Sequence, residues 1–313
     1  LPLIPDDREN HDVAVALSGG PDSMALCHQL SAASRARVHA LTVDHGLRPE
    51  SADEAQKVAA WVKDWPNVTH HILTWAGEKP DTRIMETARA ARYDLMAAYC
   101  REHGIADLYL AHHQNDQAET FLIRLAKGSG LDGLAGMSAA QNRDGLVLRR
   151  PLLGMPKSEL IAYCEAHGVP FVNDPSNEKM DYLRPRLRAA RDVLDAEGLT
   201  SKRLSVTAAR LSRARAALEF YTDSFWRDHV SETNGGIKVS LAALTAVPSE
   251  VALRVVLRSL SRFRPEEDYA PRMERVEALT DDILSGGFRG ATLGGCRFAI
   301  SGKDQALLVI EKE

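Results

Sequence analysis

Residues 13–26 read VAVALSGGPDSMAL: an apolar run from Val13 to Leu17, an abrupt Ser18-Gly19-Gly20-Pro21 turn, an Asp22-Ser23 pair, then a second apolar stretch. The first run has the length and valine content of a buried strand, and the second reads as the start of a helix. Two glycines permit backbone angles closed to other residues and let an anion approach the main chain. Pro21 suits the first helical position, where its missing N–H costs nothing. The N–H groups of Asp22, Ser23 and Met24 are then expected to point out of the helix N-terminus, where free donors and the helix dipole favour a phosphate. A lone Gly-Gly after a strand is more often a plain turn. Strand, Ser-Gly-Gly, proline, acid, serine and helix in that order are more specific.

Neither common nucleotide fingerprint fits. The pattern G-x-x-x-x-G-K-[ST], with its phosphate-binding lysine, is absent here, and so is G-x-G-x-x-G. A loop with an acid and no lysine needs another way to neutralise phosphate charge. Asp22 could do this by holding Mg²⁺, for which carboxylate plus phosphate oxygens is a usual ligand set.

Outward from the loop, up to about residue 175, short β-rich runs alternate with helical patterns. Strands are expected at Val13–Leu17, Val38–Val43, Val68–Thr74, Leu108–Ala111 and Leu146–Arg149. Helices are expected at Met24–Ala33, Ala52–Lys63, Met85–His103 and Asp116–Leu125. This alternation predicts an α/β fold, a parallel sheet covered on both faces, with ligands bound beyond the strand C-termini where the strand order reverses. Beyond residue 180 the pattern turns helical: Met180–Ala196, Leu204–Val230, Val251–Leu260 and Arg272–Leu284. A turn is expected at 233–236, and short strands at Arg297–Ile300 and Ala306–Ile310. The expected organisation is a nucleotide-binding catalytic domain over 1–196. A long linking helix and a smaller, mostly helical mixed C-terminal domain follow over 197–313.

The 313 residues carry four cysteines, far apart and without a C-x-x-C, which argues against a zinc knuckle or a dithiol redox pair and suits a reducing cytoplasm. No stretch approaches a membrane span, and the polar LPLIPDDREN start does not read as a signal peptide. A start at Leu1, without methionine, suggests a trimmed chain. Net charge is −4, yet Arg184 to Arg215 holds nine cations against three acids. Such asymmetry suits an RNA-docking surface on an acidic enzyme, or a solvated, salt-bridged helix face.

Ser18-Gly19-Gly20-Pro21-Asp22-Ser23 resembles the SGGxDS signature of the PP-loop ATP pyrophosphatases, which have an adenine nucleotide alpha hydrolase-like fold. A second signal narrows the resemblance. In Ala111-His112-His113-Gln114-Asn115-Asp116-Gln117-Ala118-Glu119-Thr120, His112, Asp116 and Glu119 fall at i, i+4 and i+7, one face of a helix if the helix includes them all. Such a face could bind zinc, or serve as a cap and salt-bridge set, or act on substrate. With the following 121–137 it resembles the AHHxxDQxETxLxRLxxGxGLxGLxGM block of the tRNA(Ile)-lysidine synthetases. Asn115 is a departure, standing where that family often has a second acid. Val43-Asp44-His45-Gly46-Leu47-Arg48, the ExxARxxRY helix ending in Arg92-Tyr93, Arg150-Pro151-Leu152-Leu153, Asp174-Pro175-Ser176-Asn177 and the stretch 182–188 resemble further blocks. Pro185 replaces the usual asparagine. Longer relatives carry a second C-terminal domain, for which this chain ends too soon.

The resemblance implies ATP and Mg²⁺ as cofactors and tRNA(Ile) with a CAU anticodon and L-lysine as partners, with no membrane and either a monomer or a homodimer. The C2 oxygen of the wobble cytidine attacks the α-phosphorus of ATP, and the lysine ε-amine then displaces AMP. The implied ATP site is Ser18, Gly19, Gly20, Pro21, Asp22, Ser23, Val43, Asp44 and His45, with Asp22 also holding the metal. The implied catalytic set is Asp22, Arg92, His112, Asp116 and Glu119, with Asp22 on the metal, Arg92 on phosphate charge, and His112, Asp116 and Glu119 orienting or deprotonating the lysine. Arg184, Arg186, Arg188, Lys202, Arg203 and Arg210 are expected to meet tRNA phosphates. A tRNA thiolase, a small-molecule amide-forming synthetase and a non-catalytic nucleotide-binding module are the competing readings. The first commonly needs grouped cysteines, the second leaves the basic segment unexplained, and the third predicts a degraded loop.

Overall fold

The computed structural model describes residues 11–34, 36–47, 50–77, 82, 84–172, 183–233, 235–263, 271–302 and 306–313. The motif positions Arg48, 174–177 and Tyr182, the Pro185 side chain and residues 1–10 lie outside what is described. The chain divides into two compact units, Leu1–Ser212 and Arg213–Glu313. That division falls later than the expected boundary after 196, inside the long helix itself.

In the first unit the elements are β1 (Val13–Ala16), α1 (Pro21–Ala33), β2 (Val38–Asp44), α2 (Ser51–Val62), β3 (Val68–Thr74) and α3 (Ile84–Glu102). There follow β4 (Asp107–Tyr109), α4 (Gln114–Ala126), α5 (Leu131–Leu134), β5 (Ala140–Arg143), β6 (Leu146–Arg149) and α6 (Lys157–Ala166). Then come α7 (Leu183–Ala189) and α8 (Arg191–Ala196), followed by α9 (Ser201–His229), whose residues from Arg213 onward belong to the second unit. The sheet order is β3-β2-β1-β4-β6-β5. All pairs are parallel except β5 on β6. The expected single helix Met180–Ala196 is two pieces over its described part, separated at Ala190, whose ψ of 6° leaves helical geometry.

Burial explains the near-continuous apolar character of β1, since a central parallel strand is covered on both faces. Val13, Val15 and Leu17 pack with α1, α2 and α6 through Met24, Cys27, Val58, Leu160 and Cys164. Ala14, on the other face, packs with Tyr93, Met96, Tyr99 and Cys100 of α3. The chain moves outward from β1 through β2 to β3, then returns to place β4 on the other side of β1. The strand order therefore reverses between β1 and β4, and their C-terminal ends flank one crevice.

The second unit holds β7 (Val230–Thr233), β8 (Gly236–Ser240), α10 (Leu241–Ala246), α11 (Ser249–Phe263), α12 (Met273–Leu284), β9 (Gly290–Leu293), β10 (Cys296–Ser301) and β11 (Leu307–Lys312). Its antiparallel sheet runs β7-β8-β11-β10-β9. Val251, Val255 and Val256 of α11 pack on Ile237, Val239, Phe298 and Ile310 of that sheet. The small helical unit anticipated from the sequence thus carries three strands, β7, β8 and β9, beyond the two expected.

Candidate active site

The loop after β1 is held by its own hydroxyls. Ser23 Oγ donates to Gly20 O at 3.0 Å, and Ser18 N–H donates to Ser23 Oγ at 3.2 Å. Gly19 has φ +82°, and a Cβ there would lie 2.6 Å from the Val58 side chain, so only glycine fits. Gly20 is different. Its φ of −74° and ψ of 161° are open to any residue, and a Cβ would meet only Ser18 Oγ at 3.9 Å. The protein itself does not require glycine at 20, but a ligand lying against the backbone would. Met24 N–H, expected to be free, donates to Gly20 O at 3.0 Å as the first helical bond, which leaves Asp22 and Ser23 as the outward N–H donors of α1.

Across the crevice, β4 leads into α4. The helix starts at Gln114, because His113 caps it. His113 Nδ1 accepts from Asn115 N–H at 3.2 Å, and Asp116 Oδ2 accepts from His113 N–H at 3.1 Å, a reciprocal capping box. The expected helical face of His112, Asp116 and Glu119 is therefore corrected: His112 lies in the loop before the helix, close enough to Asp116 to feel its charge but not part of the helix. The capping reading holds for Asp116. Among the described residues no group of three or more histidines, cysteines and acids could hold a metal, so the zinc reading is unsupported there.

Capping fixes the chemistry of His113. A backbone N–H donates to Nδ1, so the ring proton sits on Nε2. That Nε2–H faces two acids, Asp22 Oδ2 and Asp116 Oδ2, each at 3.5 Å. Lys157 Nζ, from the first turn of α6, stands 3.8 Å from the same Asp22 oxygen. Asp22 Oδ1 is buried with no hydrogen-bond partner, and so is His112 Nδ1. Burial, joined by the positive charges of Arg150, Arg89 and Arg184, pushes His112 down to about 4, although Asp116 pulls the other way.

Glu119 is 5% exposed and accepts twice from Arg188: Nε to Oε1 at 2.7 Å and Nη2 to Oε2 at 3.2 Å. Arg184 Nε adds a contact at 3.8 Å. Asp44 Oδ1 accepts from Gly46 N–H at 3.0 Å and Ser51 Oγ at 2.6 Å, and His45 Nδ1 accepts from Leu47 N–H at 3.0 Å. These side chains shape the turn after β2, leaving the Val43–His45 backbone beside the end of β1. Arg92, exposed on α3, makes no hydrogen bond or ion pair among the described residues.

The PP-loop domain family matches residues 3–194. The tRNA(Ile)-lysidine synthase of Methylobacterium sp. (strain 4-46) is 45% identical over 298 residues, covering 93% of this chain and 86% of that protein. The tRNA(Ile)-lysidine synthase of Methylobacterium nodulans is 42% identical over 307 residues, covering 94% and 89%. The chain belongs to the tRNA(Ile)-lysidine synthase family. Among solved structures, the U34-tRNA thiolase NcsA from Methanococcus maripaludis superposes with a TM-score of 0.55. At 19% identity, covering 67% of this chain and 76% of that one, it shows a shared fold and no more.

Within this lysidine synthase family member, the basic segment divides. Arg184 and Arg188 turn onto Glu119. Arg191 bonds Ser201, and Arg203 donates to Gly198 O at 3.2 Å. Arg186, Lys202 and Arg210 are exposed. Two residues at the loop, His113 and Lys157, escaped the sequence reading. The pattern His-x-x-Asp at a strand-to-helix junction is a capping signal that could have exposed the first. Nothing local in the sequence points from Lys157 to Asp22.

Proposed function

We propose that the chain joins the ε-amine of L-lysine to C2 of the wobble cytidine in the CAU anticodon of tRNA(Ile), through an adenylated tRNA. The observation that carries this reading is the meeting of a lysine-free Ser-Gly-Gly loop with the acids of α4 at one strand crossover, in a member of that family. In the first step the cytidine C2 oxygen bonds to the α-phosphorus of ATP, and the bond to the β-phosphate oxygen breaks, its electron pair leaving with pyrophosphate. In the second the lysine ammonium gives a proton to Asp116, the freed amine bonds to C2, and the C2–oxygen bond breaks as AMP leaves with that oxygen.

The residues divide the work. The loop N–H groups and the open face at Gly20 seat the phosphates. Asp22 Oδ1, buried and unpartnered, fits a Mg²⁺, which when bound would neutralise phosphate charge. Asp116 holds the lysine ammonium, because Arg188 reaches it only at 4.0 Å while making two hydrogen bonds to Glu119. His112, lowered to about 4, is neutral at working pH, so its Nδ1 accepts a hydrogen bond from the amine and stores no proton. Arg92, without a hydrogen bond or ion pair on α3 among the described residues, supplies positive charge for the ATP phosphates. Arg186, Lys202, Arg203 and Arg210 meet the tRNA backbone, and the anticodon loop offers an unstacked base. The four cysteines are buried and unpaired, and burial pushes Cys27 up to about 12, which suits neither sulfur transfer nor an oxidising compartment. Buried, unpaired thiols support a reducing cytoplasm as the setting of the reaction. No helix among the described residues is long and apolar enough to cross a membrane.

The test supplies ATP, labelled lysine and tRNA(Ile) with a CAU anticodon. Label entering the RNA with tRNA-dependent pyrophosphate release is expected, and Asp22→Ala should abolish adenylation while tRNA still binds. Turnover without RNA, or sulfur in the product, overturns the reading.

A further inference from the structure

The Ser18–Met24 loop has no cation of its own, and Asp22 sets a negative charge at its mouth. A polyphosphate entering there meets repulsion unless a full positive charge stands close. His113 cannot supply it: with Nδ1 occupied by Asn115 N–H, the ring gives one N–H and no net charge. Lys157 can. Its ammonium lies 3.8 Å from Asp22 Oδ2, on a side chain 43% exposed and so within reach of a ligand in the crevice.

The position of Lys157 is set by the core. It opens α6 after Pro156, whose φ of −63° and ψ of 143° end the incoming chain. Leu160 and Cys164, on the next turns, are fully buried against Met24, Leu26 and Cys27 of α1. Cys164 Sγ lies 3.4 Å from Pro21 O, and Tyr163 Oη lies 2.8 Å from His28 Nδ1. The two helices are thus fixed side by side, and the Lys157 ammonium is held at the mouth of the loop. As a stability device the contact has little to offer. A partly exposed pair at this separation contributes about 0–1 kcal/mol.

We propose that Lys157 is the phosphate-binding lysine of this site, supplied from α6 to hold the β- and γ-phosphates of ATP and the pyrophosphate that departs. The assignment rests on the reading that the Ser18–Ser23 loop seats ATP. As the bond between the α-phosphorus and the β-phosphate oxygen breaks, negative charge gathers on the leaving pyrophosphate, and the ammonium sits beside that charge. Nucleotide loops of the G-x-x-x-x-G-K-[ST] kind carry this cation within the motif. Here it arrives from a distant helix, and Asp22 keeps it aimed at the loop until nucleotide binds.

The experiment compares wild type, Lys157→Gln and Lys157→Arg in the full chain for binding of ATP, pyrophosphate and AMP, and for single-turnover adenylation of tRNA. Lys157→Gln should weaken ATP and pyrophosphate binding and slow adenylation, together by about 10²-fold in kcat/KM. AMP affinity and thermal midpoint should stay unchanged, and Lys157→Arg should recover part of the loss. Equal loss for AMP and ATP would make Lys157 a support of the loop and overturn the proposal. Unchanged pyrophosphate affinity would overturn it too. A wild-type chain that binds neither ATP nor pyrophosphate would instead refute the nucleotide reading on which it rests.

Discussion

Glu119 and Arg188 offer a quantitative test of how α7 is tied to α4. Glu119 is almost fully buried, and Arg188, 40% exposed, meets it with two hydrogen bonds between charged groups. A bond of that kind contributes about 1.5–3 kcal/mol, whereas an exposed ion pair contributes about 0–1 kcal/mol. With one partner buried and the other half in water, the pair should couple by about 2 kcal/mol, roughly a 30-fold change in a local opening constant. Arg188 stabilises the Glu119 carboxylate, and Glu119 holds the arginine strongly protonated. The assay is a double-mutant cycle of Glu119→Gln and Arg188→Met, read by hydrogen exchange in peptides from α4 and α7. Exchange is preferred to a single melting curve because a chain of two compact units need not unfold in one step. Additive effects, with coupling under about 0.5 kcal/mol, would refute the reasoning.

Four further outcomes are expected. Gly19→Ala should destabilise the first unit by about 1–3 kcal/mol, through its φ of +82° and its clash with Val58. Gly20→Ala should leave the melting midpoint unchanged and weaken ATP binding, as its Cβ meets no protein atom nearer than 3.9 Å, and undiminished ATP affinity would remove the ligand from that face. His112 sits near 4 in the fold against an ordinary 6.5, so the unfolded chain takes up a proton between those values that the fold refuses. Stability should fall as pH drops from 6.5 toward 4, and a His112→Asn variant should lose that part of the slope in denaturant midpoints measured at pH 7 and 4.5. Reversing Arg186, Lys202 and Arg210 to Glu together should weaken tRNA binding and flatten the salt dependence by about 2–3 units of slope, one for each phosphate contact, and an unchanged slope would detach this segment from the RNA.

The sheet was legible at its buried strands, where Val13–Leu17 and Val38–Val43 fall within one residue of β1 and β2. Val68–Thr74 coincides with β3 although that strand lies at the sheet edge and is only half-buried, because its β-branched residues favour extended chain. β5 was not legible. Its Ala-Gln-Asn-Arg sequence is exposed throughout and is a strand only because β6 offers an edge. β7 is similarly exposed except at Val230. The phosphate loop could be read because its residues are consecutive and its glycine at 19 answers a backbone demand. The acids of α4 were found, but the helix expected from Asp116 starts two residues earlier, at Gln114, and leaves His112 outside it. Counting from His112 gave a neat periodicity, while the structure places the cap one residue later and turns His113 toward Asp22. Lys157 depends on how α6 packs on α1, a tertiary fact with no local spacing to betray it. Charge counting located the basic segment but could not tell Arg188, which faces inward to Glu119, from Arg186, which faces water.

The buried thiols lend the molecule an internal clock. Alkylating reagents attack the thiolate, and burial raises Cys27 to about 12 and Cys100 and Cys164 to about 11, so the folded chain should label very slowly. Cys27, Cys100 and Cys164 belong to the first unit and Cys296 to the second. Mass-resolved alkylation with and without nucleotide would therefore time the opening of each unit separately, using only the reporters the chain already contains.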